Sequence, residues 1–279
     1  MNIWSDVEYV YRCLADGERT LAFQAAIAEV VRPGDIVLDL GTGSGIMALF
    51  AARAGARKVF AVEIGDYLSK ASQQTFVENG YGNTIVALHN DAQEVNLADV
   101  EKPDVVICEM ITTGLIGEMQ GPVINSLKRS GVIDAQTLLV PAGISTSVAL
   151  VYTDWTLFGA RLRFPTFVDY FTRSFEKPYE VLSDERIAHS VNFSSDFDEE
   201  VRIRETLDVS RDGSVNGLLL TSATTFANGA SLGSCVSYCQ PVIVPTKNLN
   251  VSKGDAVLVA MEYTMGEGFD SLQYDINVA

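Results

Sequence analysis

The chain has 279 residues, an apolar content of 47% and a formal net charge of −16. This length and apolar fraction exclude a disordered chain and allow one large domain or two modest ones. The acidity, with no stretch rich in lysine or arginine, argues against nucleic acid as a partner. No apolar run reaches membrane-spanning length and the first residues lack a signal-peptide pattern, so we expect a cytoplasmic protein with no membrane partner.

Up to about residue 140, predicted helices and strands alternate along the chain. The sequence predicts helices over 22–31, 46–54, 67–78 and about 118–127, and strands over 36–40, 58–62, 85–88, 104–108 and 137–140. Such alternation is typical of a doubly wound α/β fold, a parallel sheet with helices on both faces. We therefore predict a first, Rossmann-like domain over residues 1–140.

After Pro141 the pattern becomes rich in strands. Segments 144–151, 216–227, 256–265 and 272–278 have β character, and turns such as Asp212-Gly213 separate them. This predicts an antiparallel β-barrel domain over residues 141–279. An aromatic segment, about 154–176, follows the first of these strands without clear periodicity. It is either a loop folded over the barrel or an arm that docks on a second subunit.

The four cysteines are Cys13, Cys108, Cys235 and Cys239, and none forms a C-x-x-C pair. Cysteines this sparse are typical of reduced thiols and not of a disulfide framework. We therefore expect free thiols and no metal site.

A glycine-rich turn after the first predicted strand is the main candidate binding loop. Asp39 lies near the end of that strand, and Gly41, Gly43 and Gly45 follow it. Glycines let the backbone approach a ligand closely, and the next helix begins with free N–H groups. A dinucleotide fingerprint would place its third glycine at Ile46, and the Asp39 carboxylate would repel a pyrophosphate. The alternative is a tight strand–helix connection without a ligand.

The pattern D-x-G-x-G-x-G resembles motif I of S-adenosylmethionine (SAM) methyltransferases, which implies SAM as cofactor. Glu63 ends the second predicted strand, where a carboxylate can bind a ribose diol. Asp91 and Ala92 follow the third strand and offer an acceptor and a backbone donor for an adenine ring. Taken alone, each carboxylate is also consistent with a solvated cap at the end of a strand.

Two further motifs extend the resemblance over nearly the whole chain. Glu109 and Glu118 are nine residues apart after the fourth predicted strand, and Asp16-Gly17-Glu18-Arg19-Thr20 lies near the start. Together with the β-rich second half, these resemble the double-glutamate hairpin and the D-x-x-R-T segment of the protein arginine methyltransferases. The resemblance implies that Arg19 pairs with the cofactor carboxylate and that Gln93 stands at the position of an adenine-side glutamate. It also implies a cis Val140–Pro141 bond and a homodimer formed through the aromatic arm.

The sequence departs from that family at two places. The family's threonine-histidine-tryptophan loop corresponds to residues 236–240, where Ser237 replaces the histidine and Tyr238 the tryptophan. The family's N-terminal tyrosine-rich helix is missing or much shortened, with Trp4, Tyr9 and Tyr11 as its only candidate substitutes. Asp16 is therefore either an aid to proton removal that lacks its usual histidine partner or the cap of a turn.

Glu109 and Glu118 are the predicted catalytic residues. Two carboxylates can bind the fork of a guanidinium and leave another of its nitrogens more nucleophilic. The expected acceptor is cationic, a guanidine or amine on a protein, a peptide or a small molecule. Three alternatives stay open: methylation of a small amine, a non-catalytic SAM binder, and a structural pair in which Glu118 begins a helix and Glu109 is a solvated strand end.

Overall fold

The computed structural model describes residues 5–98, 100–168 and 179–279. Trp4 and residues 169–176 of the predicted aromatic arm lie outside the described residues. Over the described ranges, no helix has both the length and the apolar character needed to cross a membrane.

Among the described residues there are five α-helices, and all of them lie in the first half of the chain. They are α1 (Val7–Ala15), α2 (Gly17–Val30), α3 (Ile46–Arg53), α4 (Asp66–Glu78) and α5 (Gln120–Arg129). Helix α1 was not predicted as an element. It begins where the Asp6 side chain accepts a hydrogen bond from the Glu8 amide at 2.9 Å. Helix α1 is nine residues long and carries Tyr9 and Tyr11.

The start of α2 differs from the prediction for the same reason. Asp16 caps the helix by accepting from the Arg19 amide at 3.2 Å, so that the helix begins five residues before the predicted residue 22. Helix α5 begins at Gln120 and not at residue 118, so Glu118 lies in the loop before it.

The first half of the chain forms one five-stranded parallel sheet, as predicted. Its strands are β1 (Ile36–Leu40), β2 (Lys58–Glu63), β3 (Ile85–His89), β4 (Val105–Cys108) and β5 (Leu138–Val140). Their order across the sheet is β3-β2-β1-β4-β5. Strands β2 and β3 follow on one side of β1, and β4 and β5 follow on its other side, so the order of the strands changes direction at β1. In open α/β sheets, ligands bind outside the carboxyl ends of the strands at such a switch point.

The second half of the chain is antiparallel, also as predicted. Its strands are β6 (Gly143–Thr153), β7 (Thr156–Leu157), β8 (Ala160–Arg161), β9 (Thr166–Phe167), β10 (Tyr179–Val181), β11 (Arg186–Asn192), β12 (Glu200–Asp208), β13 (Gly213–Thr225), β14 (Ser231–Leu232), β15 (Val242–Val251), β16 (Ala256–Thr264) and β17 (Gln273–Val278). They form a seven-stranded sheet around β6, β13 and β15, a three-stranded sheet of β12, β16 and β17, and the β7–β8 ladder.

The junction between the two halves lies at Val140–Pro141, and this peptide bond is cis, as the family resemblance implied. The boundary of the two domains at this junction stays a prediction, as does closure of the antiparallel sheets into a barrel.

Several hydrogen bonds attach the loop between Glu109 and Glu118 to the antiparallel half. Two join backbone groups, from the Gly266 amide to the Leu115 carbonyl at 3.0 Å and from the Gly268 amide to the Ile116 carbonyl at 2.8 Å, and three others involve side chains. Thr113 Oγ1 donates to the Gln240 carbonyl at 2.6 Å, and the Gly114 amide donates to Ser222 Oγ at 2.9 Å. Tyr263 Oη donates to the Gly114 carbonyl at 2.8 Å. Most of these groups are buried, where unmade hydrogen bonds are costly, so the antiparallel sheets fix the position of this loop.

Candidate active site

The glycine-rich turn leaves the carboxyl end of β1 with three glycines in left-handed backbone conformations. The φ angles of Gly41, Gly43 and Gly45 are 69°, 51° and 83°. At Gly45, an added Cβ would lie only 2.6 Å from Cε1 of Phe76, on α4. Glycine is therefore required at Gly45 both by the backbone conformation and by the packing of the turn against α4.

The Asp39 carboxylate lies below this turn and is buried. Thr42 Oγ1 donates a hydrogen bond to Asp39 Oδ2 at 2.5 Å. Burial raises the pKa of Asp39 to about 7, although the hydrogen bond from Thr42 lowers it. A positively charged ligand, such as one with an ammonium or sulfonium group, would lower the pKa of Asp39 and so favour its ionised form.

Glu63, at the end of β2, holds the turn from the other side. Its two carboxylate oxygens accept from the Gly43 amide at 3.0 Å and from the Gly65 amide at 2.8 Å. The side chain is almost completely buried. It is therefore a fixed carboxylate that connects the glycine turn to the start of α4, and not a solvated cap.

A cavity of about 270 Å³ opens at this edge of the parallel sheet. All predicted site residues line it except Gly45, whose contribution is to the shape of the turn: the lining includes Arg19, Asp39, Gly41, Gly43, Glu63, Asp91, Ala92, Gln93, Glu109 and Glu118. The structure thus brings together residues that are up to 99 positions apart in sequence, from Arg19 to Glu118. Their individual roles stay predictions.

Helix α1 supplies a wall of the cavity that sequence reasoning missed. Tyr9, Val10, Cys13 and Leu14 line the cavity, yet the helix has no fully buried residue. The signal that would have found it is Asp6 as an N-cap before residues spaced three and four apart, Val10, Cys13 and Leu14.

The predicted adenine side is more rigid than the sequence suggested. Asp91 Oδ1 accepts from the Gln93 amide at 2.9 Å and so caps a short 3₁₀ helix, Ala92–Glu94. The Gln93 carbonyl accepts from Ser126 Oγ on α5 at 2.8 Å. One oxygen of Asp91 thus accepts from the backbone of the same loop, and this hydrogen bond orders the loop at the edge of the cavity.

Arg19 and Glu109 form a buried ion pair on the opposite side of the cavity. The side chains are 8% and 12% exposed, and Arg19 Nη2 contacts a carboxylate oxygen of Glu109. Arg19 Nη1 also donates to the Cys13 carbonyl at 2.9 Å. Its Nε–H is buried and meets no hydrogen-bond acceptor among the described residues. Since buried donors are normally satisfied, this group is suited to an acceptor on a ligand.

Glu118 lies in the same cavity and is also buried. Burial raises its pKa to about 8, although the positive charge of Arg19 acts to lower it. The structural alternative placed Glu118 at the start of a helix, whereas it lies in the loop before α5. The side chain is instead directed into the interior, which favours a functional role for it.

Asp16 connects the start of α2 to the loop that contains Ser237. Its Oδ2 atom accepts from Ser237, from the amide at 2.7 Å and from Oγ at 2.9 Å. Burial acts to raise the pKa of Asp16, but hydrogen bonds from Ser237, Cys235 and Arg19 lower it below its ordinary value. Such a carboxylate is a poor proton acceptor and a good structural anchor. Ser237, the residue predicted to stand in place of the family's histidine, thus contacts the aspartate.

A second cavity, of about 600 Å³, lies on the other side of the loop between the two glutamates. Tyr9 lines both cavities. Arg12 of α1 also lines the larger cavity. Its other walls come from the loop and from the antiparallel half, and they include Ile111, Thr112, Ile116, Phe167, Ser237, Gln240 and Phe269.

Comparison with known proteins identifies the class of this site. Residues 20–141 match the family model of ribosomal protein L11 methyltransferase (PrmA). The arginine N(omega)-methyltransferase of Streptomyces achromogenes subsp. streptozoticus is 30% identical over 149 residues, which cover 53% of this chain and 41% of that relative. The chain is a methyltransferase that resembles the protein arginine methyltransferases.

The resemblance of this methyltransferase to known proteins extends over its full length at lower identity. An uncharacterized protein of Methanocaldococcus jannaschii, MJ1452, is 29% identical over 269 residues, 96% of each chain. The structure of the Trypanosoma brucei PRMT1 enzyme-prozyme heterotetrameric complex with AdoHcy superposes with a TM-score of 0.79 at 18% identity, over 99% of this chain and 94% of that one. This second likeness shows the fold. The Streptomyces relative is matched over less than half of its own length.

We predict that Gly45→Ala destabilises the methyltransferase by about 1–3 kcal/mol more than Gly229→Ala. Both glycines have a φ of 83°, so both variants incur the same backbone strain. Only Gly45 has a neighbour, Phe76, where the new methyl group would lie, whereas no atom lies within 4 Å of the Cβ position at Gly229. Urea unfolding of the two variants measures the difference. Equal losses of stability would show that α4 moves away from the turn at little cost.

Proposed function

We propose that the protein binds SAM in the smaller cavity and transfers its methyl group to a guanidine nitrogen held by Glu109 and Glu118. The charge of the cavity wall carries this proposal. Among the described lining residues, Arg19 is the one cation beside five carboxylates, those of Asp39, Glu63, Asp91, Glu109 and Glu118. Two of these carboxylates, Glu109 and Glu118, line the cavity together with Arg19 and residues of α1. Arg19 contacts Glu109 and cannot neutralise both glutamates, so a cationic acceptor would supply the missing positive charge.

The residues present fit the cofactor. Arg19 has a buried, unsatisfied Nε–H that would receive the cofactor carboxylate. Glu63 would accept from the ribose hydroxyls, and Gly41 and Gly43 bring the backbone of the turn to the cavity wall without side chains. Neighbouring structures support this assignment, since two of them are described with AdoHcy and with SAH. When bound, SAM supplies a methyl carbon on a positively charged sulfur.

The two glutamates would orient and polarise the acceptor. A guanidinium has five N–H donors and no free lone pair, so it needs help to act as a nucleophile. Carboxylates that accept from two of its nitrogens draw positive charge toward those nitrogens and leave the third richer in electrons. Holding that nitrogen in a fixed position also removes much of the entropic cost of the reaction.

Methylation of a guanidinium releases one proton, since the acceptor and the methylated product carry the same charge. Glu118 is better suited to take this proton than Asp16. Its pKa is raised to about 8 by burial, whereas hydrogen bonds hold the pKa of Asp16 below the ordinary value despite its burial. Asp16 instead holds the loop at Ser237 against the start of α2.

We expect the purified protein to transfer tritiated methyl groups from SAM to guanidines and not to amines. A panel of L-arginine, agmatine, an arginine-containing peptide, L-lysine and putrescine separates the two classes, and also separates free from peptide acceptors. Glu118→Gln should lower kcat/KM about 10²- to 10³-fold, because it removes one preorganised charge. Glu262→Gln, an exposed carboxylate on β16, is the matched control and should retain activity. Transfer to amines with none to guanidines would contradict the proposal.

A second expectation concerns pH. With a pKa raised to about 8, Glu118 is protonated at neutral pH in the absence of an acceptor. A guanidinium needs the carboxylate form, so KM for the acceptor should fall by up to about tenfold per pH unit between pH 6 and 8 and level off above that. Besides burial, the positive charge of Arg19 acts on Glu118 and lowers its pKa. Measurements at saturating SAM exclude the titration of Asp39, and Glu118→Gln should remove the slope. A KM independent of pH in the unmodified protein would be inconsistent with this role.

We also propose that the protein forms a homodimer through the described part of the aromatic arm, 154–168. Phe158 and Phe164 are 87% and 52% exposed, and Leu162 lies between them with a partly exposed side chain. Contiguous exposed apolar groups of this kind are typical of an interface. Strand β9 pairs with β15 of its own chain, so the arm is anchored and can present these side chains to a second copy.

Light scattering should give twice the mass of the chain at micromolar concentration. The double variant Phe158→Ser, Phe164→Ser should give the mass of one chain, because it removes the apolar area that drives association. Tyr152→Ser, a change at another partly exposed aromatic residue outside the arm, is the control and should leave the mass unchanged. A single-chain mass for the unmodified protein would argue against the dimer.

A further inference from the structure

Arg19 is placed to contact both partners of the proposed reaction. It lies in the first turn of α2, fixed at its backbone by the Asp16 cap. Its three guanidinium nitrogens differ in their surroundings. Nη1 donates to the Cys13 carbonyl, Nη2 contacts the Glu109 carboxylate, and Nε is buried without an acceptor among the described residues. One side of the guanidinium is thus satisfied by the protein, and another is available to a ligand.

Glu109 and Glu118 are not equivalent in this arrangement. Glu109 is neutralised by direct contact with Arg19. Arg19 also lowers the pKa of Glu118, but burial raises that pKa and has the larger effect. An acceptor that arrived first would therefore meet one carboxylate already bound to an internal guanidinium, and it would bring a second guanidinium close to Arg19. Like charges so close in a buried site repel strongly.

We propose that the carboxylate of the bound cofactor and the carboxylate of Glu109 compete for the charge of Arg19, so that cofactor binding loosens Glu109 for the acceptor. This inference rests on the proposed function, in which Arg19 receives the cofactor carboxylate through Nε. Each new anion at a guanidinium reduces the positive charge available to the other. The resulting charges alternate in sign from the cofactor carboxylate through Arg19 and Glu109 to the acceptor. Arg19 is then a positioning residue that acts on the acceptor through Glu109.

Coupling of this kind is reciprocal. If the cofactor weakens the contact between Arg19 and Glu109, removal of Glu109 must strengthen the hold of Arg19 on the cofactor carboxylate. This consequence can be measured without any acceptor. The measurement compares two ligands that differ only in that carboxylate, S-adenosylhomocysteine and its decarboxylated analogue, S-adenosyl-3-thiopropylamine.

The Kd of the decarboxylated analogue divided by the Kd of S-adenosylhomocysteine isolates the contribution of the carboxylate, because effects on the adenosine and amine portions cancel. Calorimetry on the unmodified protein and on Glu109→Gln should give a ratio about 5- to 30-fold larger in the variant, since Arg19 is then shared with no other carboxylate. Glu118→Gln is the matched control, and its ratio should stay within about twofold of the unmodified protein. Arg19→Gln should bring the ratio close to one.

Glu109→Asp supplies a second variant in case Glu109→Gln does not fold. It keeps the charge but shortens the side chain, so the ratio should increase by an intermediate amount. An unchanged or smaller ratio in a folded Glu109 variant would overturn the competition. If the unmodified protein transfers methyl groups to guanidines while showing that result, the proposed function stands and the inference falls. If neither ligand binds the unmodified protein, the proposed cofactor site fails and the competition fails with it.

Discussion

The cavity depends on a single buried guanidinium placed among several carboxylates. Burying a carboxylate without a counter-charge raises its pKa until it binds a proton, and Asp39 and Glu118 both show this shift. Arg19 lowers the cost for the group it contacts, Glu109, but it cannot neutralise all of them. The site therefore has, among its described lining residues, fewer positive charges than carboxylates, and positively charged ligands would correct this deficit of positive charge. Its chemical preference arises from this deficit more than from shape.

The antiparallel half contributes rigidity to a site whose charged residues come from the other half. The loop between the glutamates is attached at Thr113 and Gly114 to groups from three separate positions in the second half of the chain. Ser237 makes a further attachment, to Asp16 at the start of α2. The relative placement of Arg19 and Glu118 thus depends on contacts that neither residue makes itself. A substitution far from the cavity, at one of these attachments, can change the distance between charges.

Local sequence patterns were sufficient to predict the parallel sheet and the glycine turn. Strand β1 was predicted over its full length, because a short apolar run before Gly41 has few other interpretations. The cis bond before Pro141 and the position of Arg19 followed from resemblance to a family, which uses residue order and not physics. Helix α1 was missed because it is short and amphipathic without being buried, so its apolar positions did not stand out.

The contact between Arg19 and Glu109 could not be predicted, since the two residues are 90 positions apart and no periodic pattern connects them. The sequence assigned them to different ligands, one to the cofactor and one to the acceptor. Likewise, the direction of the pKa shift of Glu118 depends on how completely it is buried, and burial is a property of the assembled fold. The inequality of the two glutamates is thus a tertiary effect.

Because α1 has no fully buried residue, it has a consequence for the entry and release of ligands. This helix lines the smaller cavity and, through Tyr9, also the larger one, yet it buries none of its residues fully. Segments with few buried apolar contacts open at a free energy well below that of global unfolding. Displacement of α1 would remove a wall of both cavities and expose their contents to solvent while the parallel sheet stays intact. The exchange of spent cofactor can therefore be separated energetically from the stability of the core.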